Sequence, residues 1–234
     1  MHNLAGSFQM AFQLMIELNP QLIEIVGLSL RVSLTAVLLA SICGFIFGAV
    51  MALCRFPGRR AILVILNAFM GLPPVVVGLT VYLLLSRAGP LGNWGLLFTP
   101  SAMIFAQWIL ITPLIAALSR QVIEDLNVEY RELFRSLGAS GPRRVRTLLW
   151  EARVSLTTVM LAGLGRAIAE VGAVLIVGGN IVHHTRVMTT SIALETGKGN
   201  LSQALALGII LIFIACLINA AIAISQSYAE PASG

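Results

Sequence analysis

The stretch Glu129–Leu149, EYRELFRSLGASGPRRVRTLL, is the charged heart of an otherwise apolar chain. Between Glu124 and Arg153 lie six arginines and five acids, while the runs on either side carry almost none. Across 234 residues, 58% are hydrophobic and 11% charged, and the mean hydropathy is +0.92. Soluble domains carry about 25% charged residues. A chain this short still exposes much surface that polar side chains must cover. The composition therefore excludes a soluble globular domain and points to an integral membrane protein. Glu129–Leu149 then belongs to a loop outside the lipid.

Outward from that loop, five runs approach the roughly 20 apolar residues needed to cross a bilayer as a helix. They are Ile25–Leu53, Ala61–Leu85, Ser101–Leu118, Ser155–Val177 and Leu201–Ser225. Helix is favoured over strand because the runs are long and show no period-two alternation. Arginine supplies 14 of the 15 basic residues. Ten of the arginines fall in two loops, Arg55, Arg59 and Arg60 in one, and Arg120, Arg131, Arg135, Arg143, Arg144, Arg146 and Arg153 in the other. The opposite side carries Arg87, Arg186 and Lys198. The positive-inside rule places the ten in the cytoplasm, with the N-terminus outside and the C-terminus inside. This distribution also speaks against nucleic acid as a partner.

The chain divides into three parts on this reading. Residues 1–24 form an outer interfacial segment, its apolar stretch 8–24 too interrupted to span and bent by Pro20. Residues 25–225 form one transmembrane domain with a cytoplasmic loop at 120–153 and an outer loop at 179–200. Residues 226–234 form a cytoplasmic tail. The first 20 residues lack Lys and Arg, so a cleavable signal peptide is not expected. Cys43, Cys54 and Cys216 have no metal-ligand spacing and read as small core residues.

In the charged loop, Leu126, Tyr130, Leu133 or Phe134, and Leu137 recur at three- and four-residue steps, one apolar stripe on a helix. Glu132 sits three residues before Arg135, a weak supporting pair. Gly138 stops the helix, Ser140 caps the next one, and Pro142 stands in its first turn. On chemistry alone, an interfacial loop anchored to anionic lipid explains this pattern as well as a partner-docking loop does.

The spacing resembles the cytoplasmic motif of ABC importer permeases: Glu-Ala-Ala, three residues, Gly, and nine residues later an Ile-x-Leu-Pro-like end. Glu132 and Gly138 match, RSLGAS (Arg135–Ser140) matches the middle, and Leu148 takes the Ile position. Leu133 and Phe134 replace the two alanines, and Trp150 and Glu151 replace Leu-Pro. The segment GRAIAEVGAVLIVGGNI followed by TRVMTTSIALETGKGN is similar to tungstate permeases, with the first part shared in style by molybdate and sulfate permeases. The resemblance covers about Leu28 to Ser225.

It implies an all-α integral membrane fold of about five transmembrane helices, the type I ABC importer permease (MetI-like) fold. It implies a coupling surface made of Tyr130, Glu132, Leu133, Phe134, Arg135, Leu137, Gly138, Ala139 and Ser140, with Gly138 required because a side chain would block the turn. The implied partners are a second copy of the chain forming a homodimeric pore, two cytoplasmic ABC ATPase subunits that use ATP and Mg, and an outer oxyanion-binding protein. The cell inner membrane is the implied location and tungstate the implied cargo, with molybdate or sulfate as alternatives.

Other residues suggest the translocation path. Arg166 and Glu170 lie four apart inside the fourth run, on one helical face. They either attract the oxyanion or form a buried pair that fixes packing. Packing is favoured because a strong permanent anion site would trap the cargo. Pro73 and Pro74 in GLPPVVVG must bend or open the second run, as a gate or a plain kink; Pro113 in the third run is structural. Gly165, Ala169 and Gly172 or Ala173 make a small-residue face for a homodimer interface or for contact within one subunit. In the outer loop His183, His184 and Arg186 are expected to face the mouth of the pore, where an oxyanion arrives; the adjacent His183 and His184 point apart on a helix, so a metal site is not expected there. The helix-like TTSIALET, with Thr189 and Thr190, dips toward the pore. No catalytic or metal-binding constellation is evident, and no GxxxxGK(S/T) loop is present, so this chain needs a partner to use ATP. An intramembrane enzyme, the rival class, requires a Ser–His, paired-Asp or metal cluster that the sequence lacks.

Overall fold

The computed structural model describes residues 4–17, 19–54, 56–138 and 141–229. Among them every regular element is helical: α1 (Leu4–Ile16), α2 (Pro20–Leu53), α3 (Arg59–Met70), α4 (Pro74–Leu85), α5 (Pro100–Glu129), α6 (Arg131–Ser136), α7 (Gly141–Glu151), α8 (Arg153–Ile168), α9 (Gly172–Gly178), α10 (Met188–Gly197) and α11 (Leu201–Ala229). A short 3₁₀ turn covers Gly92–Trp94. Three helices are long and apolar enough to cross a membrane: α2, α5, and α11 over Leu201–Gln226. The number rises to five if α3–α4 and α8–α9 each count as one bent span.

The bent pairs revise two of the runs read from sequence. Ala61–Leu85 is not one helix, because α3 ends at Gly71 and Pro73 is extended (φ −62°, ψ 124°). Pro74, with no amide hydrogen, then opens α4 at the position where a missing donor costs least. Ser155–Val177 is likewise interrupted, at Ala169–Val171. Pro113, by contrast, sits inside α5 without ending it. Pro20 stands at the junction between the N-terminal segment and the first span. It is the first residue of α2, and the Asn19 side chain caps that start by accepting the Gln21 amide at 2.9 Å.

The chain divides into two compact units. The first comprises residues 1–36, 73–107 and 165–217. Its core includes Val77, Val81 and Leu85 of α4 and Ala173, Val174 and Val177 of α9, all buried. Their helices touch backbone to backbone: a Cβ on Gly78 would lie 2.7 Å from the Ala173 Cα, and one on Gly172 would lie 2.8 Å from Val75 Cγ2. Gly172 and Ala173 of the small-residue face thus serve contact within the subunit.

The second unit comprises residues 37–72, 108–164 and 218–234. Here α2 meets α5 through Gly44 and Gly48, a Gly-xxx-Gly pair that lets backbones approach closely. A Cβ on Gly48 would stand 2.8 Å from the Ala116 carbonyl, and Ser119 Oγ donates to the Gly44 carbonyl at 3.2 Å. Only 11% of the apolar window of α11 is buried, so most of its surface faces outside the chain. Cys43, Cys54 and Cys216 are exposed, not core residues. In an apolar solvent a small thiol has no reason to be buried.

Candidate functional site

The charged loop folds as an elbow. Helix α5 runs past Leu118, the apolar limit read from sequence, to Glu129. Tyr130 (φ −83°, ψ 6°) interrupts it, α6 follows, and Gly138 turns left-handed at φ +58°. The single stripe from Leu126 to Leu137 is therefore divided. Phe134 turns inward, 8% exposed, with its ring 6.0 Å from that of Tyr130 and 5.7 Å from the Arg144 guanidinium. Leu133 (49%) and Leu137 (70%) point out. Glu132 and Arg135, both exposed, make no ion pair with each other among the described residues. Ala139 and Ser140 lie outside the described residues; Pro142 falls in the first turn of α7, which begins at Gly141.

Gly138 is required for a different reason from steric blockage. A Cβ there would meet nothing within 4 Å. The constraint is the positive φ, which L-residues adopt at a cost of about 1–2 kcal/mol. Leu148 at the motif's Ile position is fully buried, whereas Trp150 is 66% exposed. The Arg153 guanidinium covers the Trp150 ring at 4.7 Å and donates to the Trp150 carbonyl at 2.7 Å.

Charged side chains distant in sequence hold the elbow. Glu124 of α5 takes Arg59 of α3 at 3.2 Å through one oxygen and Arg120 through the other. Arg59 also donates to the Met51 carbonyl at 2.7 Å. Arg144 of α7 donates to Asn127 of α5 at 2.8 Å. Arg59 and Glu124 are 65 residues apart, so no local spacing announces the bond.

The second locus is the gap between α8 and α9. Arg166 and Glu170 do pair, at 3.3 Å, but not on one helical face: Glu170 stands in the break. Its side chain is 2% exposed and that of Arg166 42%. The other Glu170 oxygen accepts the Ala173 amide at 3.1 Å, so the carboxylate caps α9. Side chains from other elements reach backbone carbonyls around the break, one of which, that of Ala167, also accepts the Glu170 amide at 3.2 Å. Gln107 donates to the Ala167 carbonyl at 3.0 Å, and Thr189 donates to the Glu170 carbonyl at 2.8 Å. Thr190 accepts the Val187 amide at 3.3 Å and lies 3.0 Å from Asn180 Oδ1. Both threonines are buried and committed within the chain. Pro73 is exposed and Pro74 half-buried.

Sequence reasoning passed over Ser29, Gln107 and Asn180. Ser29 of α2 accepts the Met188 amide at 2.7 Å and so holds the start of α10. A polar residue inside an apolar run is the signal that marks Gln107 and Ser29.

The loop at 179–200 has its own ionic contacts. TTSIALET is helical, within α10. His183 is in a turn, left-handed at φ +57°, with Nδ1 2.7 Å from Glu24 of α2. His184 is exposed and Arg186 half-buried. Glu195 is buried and bonded by Lys198 at 3.0 Å and Asn200 at 2.9 Å. Burial raises its pKa, but these bonds and the charges of Lys198 and Arg186 outweigh that and hold the carboxyl below its ordinary value.

Residues 44–233 match the family described as binding-protein-dependent transport system inner membrane component. The chain belongs to this family, as a permease subunit of an ABC transport system. It is 39% identical over 222 residues to the tungstate uptake system permease protein TupB of Peptoclostridium acidaminophilum, covering 95% of this chain and 97% of that protein. It is 38% identical to the TupB protein of Campylobacter jejuni, over 91% of this chain and 89% of that one. A probable anion ABC transporter permease protein of Haloferax volcanii is 40% identical over 85% of this chain and 88% of its own length.

Proposed function

We propose that the chain forms the membrane pore of an ATP-driven importer of tungstate. The observation that carries this reading is 39% identity to a tungstate permease along 95% of the chain, with no region left unmatched that is large enough to be a separate domain. Two copies line one pore, since one such subunit supplies half a lining. An outer binding protein delivers the oxyanion, and two cytoplasmic ATPase subunits seat the elbow of α5–α7. The ten-to-three distribution of basic residues supports the elbow's cytoplasmic placement.

The elbow's geometry suits a transmitted push. Leu133 and Leu137 offer apolar anchors to a partner groove. Behind them Phe134 and the Arg144–Asn127 bond pass force into α5, a continuous helix of 30 residues. ATP and its Mg supply the energy on the partner subunit. Near the break between α8 and α9, Arg166 keeps part of its guanidinium exposed while Glu170 offsets its charge. Such a half-neutralised cation attracts an oxyanion weakly enough to release it. Pro73, Pro74, Thr189 and Thr190 position the α4–α9 contact and α10 around that path.

The test is uptake of labelled tungstate by cells with and without this chain, in the presence of excess molybdate or sulfate. Uptake that needs the chain and resists both competitors supports tungstate. Equal competition by molybdate moves the cargo to that relative's chemistry, which a 30% identical molybdenum permease of Escherichia coli makes the second reading.

A further inference from the structure

A cavity of about 890 Å³ opens within the second unit, bounded by the end of α2, the start of α3 and the elbow α5–α7. Its wall carries Arg59, Arg131, Arg135 and Arg144, with Glu124 the lining carboxylate. Both Glu124 oxygens are already engaged, one by Arg59 and one by Arg120. Arg144 rests on a neutral amide and an aromatic face. Arg131 and Arg135 make no ion pair among the described residues. Four guanidinium groups thus face one space with one shared negative charge between them.

That imbalance calls for an anion. Planar guanidinium forks match the oxygens of a phosphate two at a time. A lone phosphate or tungstate would occupy a small part of the space, which has the size of a pocket for a larger organic molecule. Apolar side chains also line it, among them Val128, 58% exposed, and Leu53, half-buried. The ligand that matches both features has a charged phosphate joined to hydrocarbon. The cytoplasmic leaflet supplies such molecules as anionic phospholipids, and basic pockets on that side hold their headgroups.

We propose that this cavity binds the phosphate headgroup of an anionic phospholipid, which ties the elbow to the start of α3. The proposal rests on the cytoplasmic placement of the elbow given above. The binding test does not: in detergent it reads the cavity whichever side the loop occupies, so the two can fail separately.

The experiment uses the full chain, purified in detergent with its associated subunits, and native mass spectrometry of retained lipid. Phosphatidylglycerol is expected to stay bound and phosphatidylcholine to be lost. The double variant Arg131→Gln with Arg144→Gln should weaken retention roughly thirtyfold, while Arg143→Gln, outside the cavity, leaves it unchanged. Should the double variant fold poorly, Val128→Glu, at an exposed site, puts a carboxylate among the apolar lining side chains and should expel the lipid equally. Inorganic phosphate or tungstate that displaces phosphatidylglycerol at millimolar concentration would mean a free anion occupies the site, and overturns the lipid assignment. Equal losses for Arg143→Gln and the double variant would reduce the effect to general surface charge, and overturn the cavity.

Discussion

The elbow α5–α7 and the gap between α8 and α9 both interrupt helices, but by opposite means. At the gap backbone groups are met by side chains inside the chain. Gln107 and Thr189 satisfy the Ala167 and Glu170 carbonyls, and Glu170 satisfies the Ala173 amide. At the elbow Gly138 and exposed polar groups leave the turn to water, and the apolar Leu133 and Leu137 stay outside. The difference follows from solvent. A broken backbone in an apolar surrounding must find protein partners, since none come from the lipid. A broken backbone in water need not, so its outward residues are free to serve another protein. The gap is a joint with its partners built in; the elbow, on the proposed function, is a joint left for another subunit to complete.

Several substitutions can break this contrast, and the largest effect belongs to the gap's surroundings. Gly78→Leu forces a side chain against the Ala173 backbone, which cannot rotate away. A loss of about 3 kcal/mol is expected, read as loss of the monodisperse peak in detergent; a normal thermal midpoint would mean α4 and α9 do not touch as described. Glu170→Ala removes the cap on α9 and the partner of Arg166, at a cost of about 2 kcal/mol. Thermal unfolding measures it, and Glu170→Gln should recover part of the loss because its amide oxygen can still accept from Ala173.

The elbow should respond in transport more than in stability. Gly138→Ala is expected to cost about 1 kcal/mol through its positive φ, while Gly138→Asn, which tolerates that φ, costs less. If the two behave alike and a large residue alone disrupts uptake, steric blockage, not backbone conformation, governs the turn. Leu133→Ala with Leu137→Ala should change the thermal midpoint little, since both are exposed. ATP-driven uptake should fall severalfold, and full uptake would remove them from the partner contact.

The smallest effect is a pH dependence in the loop at 179–200. Glu195 has a lowered pKa in the folded chain, so it binds protons less readily there than when unfolded. Its contribution is present above the ordinary carboxylate range and fades as pH falls through the lowered value. Hydrogen exchange in α10 should therefore quicken on acidification, and Glu195→Gln should flatten that response.

Much of the architecture was legible in the chain because membrane proteins sort residues by length and hydropathy. The long helices, the break invited by Pro73–Pro74 and the helical TTSIALET all follow from local chemistry. The elbow was half legible. Glycine at 138 and proline at 142 mark the turn, but Leu133 and Phe134 are adjacent apolar residues, and periodicity alone could not say which one faces inward. The break at Ala169–Val171 carries no proline, and two of the side chains that meet it, Gln107 and Thr189, lie outside the run that it interrupts. The cysteines misled for a physical reason: burial statistics drawn from proteins in water do not hold where the surroundings are themselves apolar.

An apolar chain whose arginines gather in two loops is enough to specify an all-helical membrane subunit. Those properties depend on transfer free energies, which sum over residues in order. Folding alone decided that Arg59 reaches Glu124, that Gln107 and Thr189 close the gap beside Glu170, and that Phe134 is buried while Leu133 is not. Each of these depends on which helices come to lie side by side, and helix packing is a property of surfaces meeting in space, on which the order of residues along any one helix is silent.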